Sequence, residues 1–189
     1  MELLIGIAVV AAVIAAVVAV VVIYNGFVAR RNAIAFAFAG IDVQLKKRFD
    51  LIPRLVDVVR GYMQHERETF ARITALRTKA VAQGTPTAEQ LRICDQLTPD
   101  INAIIAQVED YPLLCASGPY QLLHRNLTEV EEQLSAARRA YNAAVMDYNT
   151  ATQVFPGIMF AAFFGFKPAE SFSVADAERN APHTAYGKN

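Results

Sequence analysis

Residues Leu3 to Ile23 read LLIGIAVVAAVIAAVVAVVVI, twenty-one consecutive Leu, Ile, Val, Ala and Gly residues with no polar or charged side chain. At about 1.5 Å per residue a helix of this length covers about 30 Å, the thickness of a bilayer's hydrocarbon core. So much valine suits a strand in water. In lipid a lone segment must satisfy its own backbone hydrogen bonds, and only a helix does so. A cleaved signal peptide would hold ~7–15 apolar residues behind a basic segment and ahead of a small-residue cleavage site. Only Met1 and Glu2 precede this run, and the first basic residues are Arg30 and Arg31, so it reads as a retained anchor. Tyr24 then falls at the membrane interface with Arg30 and Arg31 just beyond it. The Lys/Arg bias predicts an N-terminus outside and the bulk of the chain in the cytoplasm.

The run explains most of an unusual composition. The 189 residues are 54% hydrophobic and 19% charged, with 18 basic and 18 acidic side chains. Ordinary soluble domains carry about 25% charged residues, and disordered chains combine low hydrophobicity with high net charge. The zero balance also gives no support to nucleic-acid binding. It hides a polarity: residues 30–80 hold eleven basic and five acidic side chains, residues 81–150 four basic and nine acidic. Two cysteines, Cys94 and Cys115, lack the spacing of a metal or redox pair and read as free thiols in a reducing compartment.

Beyond Tyr24 the apolar residues Ile34, Phe38, Ile41, Leu45, Phe49, Ile52, Val56, Val59, Met63, Phe70 and Ile73 recur at steps of three and four, a helical stripe with one position skipped after Met63. The expectation is one helix from the membrane to about Lys79, kinked at Pro53. Gln83-Gly84-Thr85-Pro86 breaks the chain, and Thr87 with Gln90 has capping-box form, so a second helix is expected from about Ala88 to Asp110. The stripe from Leu123 through Tyr148 to Phe155 predicts a third helix to about Val154. The fold class is thus all-α: an N-terminal transmembrane helix (1–23) continuing into an antiparallel bundle of three long helices plus a short C-terminal helix (24–172), then a polar, disordered tail (173–189). The segment Phe155–Phe166 is apolar and aromatic but too short to span a bilayer; it reads as a short helix folded over the open end of the bundle, with a subunit contact or a membrane-interface insertion as the functional alternatives.

Several motifs together resemble the LemA family: Tyr24-Asn25 through Arg31-Asn32, the run Ile41-Asp42-Val43-Gln44-Leu45-Lys46-Lys47-Arg48-Phe49-Asp50-Leu51-Ile52-Pro53, Gly61-Tyr62, His65-Glu66 and Tyr111-Pro112-Leu113. Arg138, Tyr141-Asn142, Val145, Tyr148-Asn149, Phe155-Pro156 and Gly165-Phe166 continue the series in order, so the likeness covers about residues 24–172. Phe49 and Arg54 depart from the family's usual Tyr and Asn. The resemblance implies a bacterial inner (cell) membrane protein with a single N-terminal span and a cytoplasmic helical bundle, in a family with a magnetosome-associated branch. It implies little about activity.

Nothing in the residue inventory points to catalysis. His65-Glu66 lacks the second histidine of HExxH, and no P-loop, GxGxxG or GxSxG occurs. No catalytic residue, cofactor, metal site or small-molecule substrate is therefore expected. Tyr141-Asn142 and Tyr148-Asn149, seven apart, share a helix face with Arg138 and read as a polar layer inside the bundle, fixing its register. Lys46-Lys47-Arg48 stands about 35 Å beyond the span, too far for lipid headgroups, and fits acidic residues of later helices or of a neighbouring subunit. A first helix longer than its companions would leave Ile34, Phe38 and Ile41 uncovered. With Phe160, Phe163, Phe164 and Phe166 these are the expected contacts of a homo-oligomer. The predicted function is a non-enzymatic, membrane-anchored scaffold that self-assembles; the alternative is an adaptor binding another membrane protein, such as a protease or envelope-maintenance factor.

Overall fold

The computed structural model describes residues 1–63 and 66–172. His65 of the family motif and the tail expected to be disordered lie outside the described residues. Among the described residues there are six helices and no strand: α1 Glu2–Arg60, α2 Arg67–Ala80, α3 Thr87–Val108, α4 Pro112–Cys115, α5 Gly118–Gln153 and α6 Gly157–Phe164. The all-α expectation holds. The chain forms two compact units, one built from Met1–Gly40 with Ala137–Phe172 and one from Ile41–Ala136.

The first helix ends earlier than its stripe suggests. It stops at Arg60 rather than near Lys79, and residues 67–80 form the separate helix α2. Gly61, a poor helix former, begins the turn, in which the amides of Tyr62 and Met63 both donate to the Val59 carbonyl at 3.0 Å. The position skipped after Met63 marks this break. Met63, Phe70 and Ile73 are still buried, because a returning helix meets the same core as a continuing one. Pro53 stays inside α1 as expected. Its missing N–H leaves the Phe49 carbonyl without its partner four residues on, and Arg77 of α2 donates to that carbonyl from Nε at 3.3 Å.

In the Ile41–Ala136 unit, α2 and α3 run antiparallel, tied by Arg72 to Asp100 (2.7 Å from Nε) and Lys79 to Glu89 (2.9 Å). The capping box expected of Thr87 does not form. The Thr87 hydroxyl donates instead to Asp42 of α1 at 2.6 Å, and Gln90 donates to the Thr85 carbonyl. Pro99 lies within α3 without ending it. Ile41, Leu45, Phe49 and Ile52 of α1 fill the core with Cys94, Leu97 and Ile104 of α3 and Leu127 and Leu134 of α5.

Arg48 belongs to that core. It is 3% exposed, while Lys46 and Lys47 face solvent. The basic triplet is therefore not one surface: position 48 falls on the inward stripe between Leu45 and Ile52, and positions 46 and 47 fall outside it. The guanidinium donates to Cys94 Sγ (2.8 Å) and Thr98 Oγ1 (2.9 Å) of α3 and pairs with Glu131 of α5 at 2.8 Å. Among the described residues, Arg48 of the triplet meets an acidic residue of a later helix, inside the fold.

Breaking a buried pair costs more when the buried charge is the one left behind. Glu131→Ala, which leaves Arg48 without this acidic partner and with Cys94 and Thr98 still in place, is expected to cost about 1.5–3 kcal/mol, the range for hydrogen bonds to charged groups. Arg48→Met, which removes the buried charge and keeps the stem, should cost less. Urea unfolding followed by helical circular dichroism in mild detergent measures both, and equal losses would contradict this account of Arg48.

Candidate functional site

In the unit formed by Met1–Gly40 and Ala137–Phe172, α1 and α5 run antiparallel. Arg30 pairs with Asp147 at 3.0 Å, and the Phe38 ring lies 5.8 Å from that of Tyr141. The heptad pair Tyr141-Asn142 and Tyr148-Asn149 lies on α5, and its partners are not other helices. The side chains hold an extended strap, residues 165–172, along α5.

The bonding is regular. Asn149 donates to the Ala169 carbonyl (2.9 Å) and accepts from the Ala169 amide (2.8 Å). Asn142 does the same with both backbone groups of Phe172, at 2.9 Å each. The Tyr148 hydroxyl donates to the Lys167 carbonyl (2.9 Å), and that of Tyr141 to the Glu170 carbonyl (3.0 Å). Seven residues earlier on the helix thus answer to three residues later on the strap, for Tyr and Asn alike. The lengths agree: seven helical residues rise about 10.5 Å, and three extended residues cover about 10 Å. Each Asn side chain supplies the donor and acceptor that a neighbouring strand would otherwise present. The expected polar layer between bundle helices is therefore a ladder for a peptide backbone. Arg138 lies half-buried, one turn from Tyr141.

Two glycines permit the path into the strap. Gly157 opens α6 so close to α5 that a Cβ would stand 2.1 Å from the Ala151 carbonyl oxygen. Gly165 ends α6 at φ +74°, a left-handed conformation that favours glycine. The Phe166 amide closes the cap on the Ala161 carbonyl at 2.9 Å. The chain then places Phe164 and Phe166 against Tyr24, with ring centroids at 5.1 and 5.7 Å, and Phe166 against Phe27 at 5.1 Å.

The structure separates the residues expected at a subunit contact. Ile41 is fully buried within the chain, so it is no free surface. Phe38 is half-buried, covered in part by Tyr141 and Phe172, and Ile34 is half-buried. The stripe is thus not bare throughout: Tyr141 of α5 and Phe172 of the strap cover part of it at Phe38, and Ile41 lies in the core. Phe163 is 82% exposed, Phe164 borders on exposure, and Phe160 and Phe166 are half-buried. The sequence marked the segment Phe155–Phe166, in which Phe155, Ile158 and Met159 are exposed, but singled out neither the exposed Phe36 nor the strap itself. The paired Tyr-Asn heptad was the available signal for the strap, but its hydrogen-bonding capacity does not say whether a helix or an extended chain answers it.

Among the described residues no three His, Cys, Asp or Glu side chains cluster as a metal site would require. An open groove of about 760 Å³ along α2 is lined by Arg60, Arg67, Phe70, Thr74, Thr78 and Lys79 among others, with no carboxylate, histidine or thiol among the described residues that line it.

A helix of membrane length, exposed along its apolar run, with a packed helical unit beyond it, defines a single-pass membrane protein of the all-α class. The LemA family profile matches residues 37–186, and the chain belongs to that family. It is 25% identical over 174 residues to Magnetosome protein MamQ 2 of Paramagnetospirillum magneticum, covering 79% of this chain and 64% of that protein. It is 26% identical over 131 residues to Protein LemA of Metamycoplasma hominis, covering 69% of this chain and 60% of that one. The match to Magnetosome protein MamQ of Magnetospirillum gryphiswaldense is 23% over 174 residues, again 64% of the relative. The chain thus spans under two thirds of the length of these relatives.

Each ladder asparagine contributes two bonds worth about 0.5–1.5 kcal/mol apiece. Asn149→Ala should therefore lower hydrogen-exchange protection of the Ala169 amide by about tenfold to a hundredfold, with the α3 amides unchanged. Unaltered protection at Ala169 would contradict the ladder. The Tyr141 phenol is pushed above its ordinary value by burial, and next by the nearby Glu170 carboxylate. Its raised value in the folded state means that its contribution is complete below pH about 10 and is lost as pH rises through the folded value. Burial raises the Tyr120 phenol as well, so tyrosine absorbance titration of Tyr141→Phe should lose part of its late alkaline component and keep the part that belongs to Tyr120. An undiminished late component would contradict this assignment.

Proposed function

We propose that this protein is a non-enzymatic scaffold, anchored by Leu3–Ile23, that self-assembles in the plane of the bacterial inner membrane with its bulk on the cytoplasmic side. Phe36 carries the reading. It is 83% exposed on α1, about 20 Å beyond the end of the span. Copies held in one membrane meet at high effective concentration, so a modest apolar contact is enough to associate them. Within the span, Ala8, Ala12 and Ala16 repeat at four-residue steps and let helix backbones approach closely in lipid. The contact moves from the expected Ile34, Phe38 and Ile41 to the other side of α1, because α5 occupies the first.

Exposed Lys46 and Lys47 favour the second reading, an adaptor with an acidic partner protein in the same membrane. Cysteine cross-linking in native membranes distinguishes the two. In a Cys115→Ser background, Phe36→Cys is expected to give a disulfide-linked dimer and Ile41→Cys none. A Phe36→Cys chain that stays monomeric at native abundance would sink self-assembly through this face, and adducts to another membrane protein alone would favour the adaptor.

A further inference from the structure

We propose that α6 is a second membrane-contacting element, a short helix lying in the interfacial layer of the bilayer beside the end of the span. The inference rests on reading Leu3–Ile23 as that span. From Phe155 to Phe166 no side chain is polar or charged. Gly157 and Ala161 face inward, and Phe155 (79% exposed), Ile158, Met159 (64%) and Phe163 (82%) face out. A soluble surface rarely carries such a contiguous apolar face without an occupant.

The position of α6 within its own unit names the occupant. Phe164 and Phe166 pack on Tyr24, the residue that follows the last apolar residue of the span. The outward face of α6 thus lies at the height where the hydrocarbon gives way to headgroups, continuous with the exposed surface of the span itself. A segment too short to cross the bilayer is suited to lie in its boundary. Exposed Arg31 and Lys167 flank this level and fit anionic headgroups. The ladder supplies the restraint: with residues 167–172 fixed along α5, α6 is held at the span and its apolar face has no room to fold away. Two attachments, a span and an interfacial helix, fix the tilt and rotation of this unit on the membrane, where a lone span leaves both free.

The chain contains no tryptophan, so a single introduced one reports alone. Phe163→Trp, Met159→Trp and Phe36→Trp, all at exposed positions, are made in the full chain and reconstituted into phosphatidylglycerol-containing vesicles with and without brominated acyl chains. The indoles at positions 163 and 159 are expected to emit at shorter wavelength than an indole in water and to lose most of their emission in brominated lipid, while the indole at position 36 keeps its own. Protein that floats with the vesicles but shows water-like, unquenched emission from position 163 would overturn the proposal and leave the span intact. Blue-shifted but unquenched emission from position 163 would overturn it in favour of a second copy covering the face. Quenching at position 36 as well would place the membrane surface elsewhere and overturn it too. Failure to float would remove the span reading and this one together.

Discussion

A backbone N–H or C=O taken out of water must find a partner, and this requirement shapes the chain from one end to the other. It makes Leu3–Ile23 a helix despite its valines, since in lipid no other partner exists. It lets α1 keep Pro53, because the carbonyl that the proline orphans at Phe49 is met by Arg77 from the returning helix. It also explains an extended strap lying on a helix, where no strand is at hand. Asn142 and Asn149 present amide edges to Phe172 and Ala169, and Tyr141 and Tyr148 satisfy carbonyls at Glu170 and Lys167. The same constraint yields a helix, a tolerated proline and a ladder, according to which partners are available.

The span was legible because a bilayer leaves one solution to a long apolar run. The helical stripes were legible for the same reason that they misled at Arg60. Burial of Met63, Phe70 and Ile73 at helical spacing is required whether α1 continues or turns back, so periodicity alone does not reveal a hairpin. Gly61 and the skipped position were the local signals. Lys46-Lys47-Arg48 reads as one charge cluster in sequence, yet the helix turns Arg48 inward among Cys94, Thr98 and Glu131. The ladder's residues were visible as a face needing partners. The partner was not, since the strap is bound through its backbone and its sequence carries little of that information.

The exposed apolar surfaces and the ladder have different partners. The polar groups of the ladder bind the chain's own backbone, and the exposed surplus is apolar: the run before Tyr24, the outward face of α6, and Phe36 on α1. These surfaces suit lipid and protein neighbours. The LemA family profile, matching from residue 37 onward, places the helical region in a family and leaves the apolar run to its own physics.

The membrane span is tested most directly by a depth profile along α1. Spin labels placed singly at Val10, Val17, Tyr24 and Phe36 in the lipid-reconstituted full chain, with Cys115 replaced, report accessibility to oxygen, which enriches in hydrocarbon, and to a water-soluble nickel complex. High oxygen and low nickel accessibility are predicted at positions 10 and 17, a crossover at 24, and free access to nickel at 36. Nickel access at positions 10 and 17 equal to that at 36 would contradict the span, and with it the membrane plane to which α6 and Phe36 are referred.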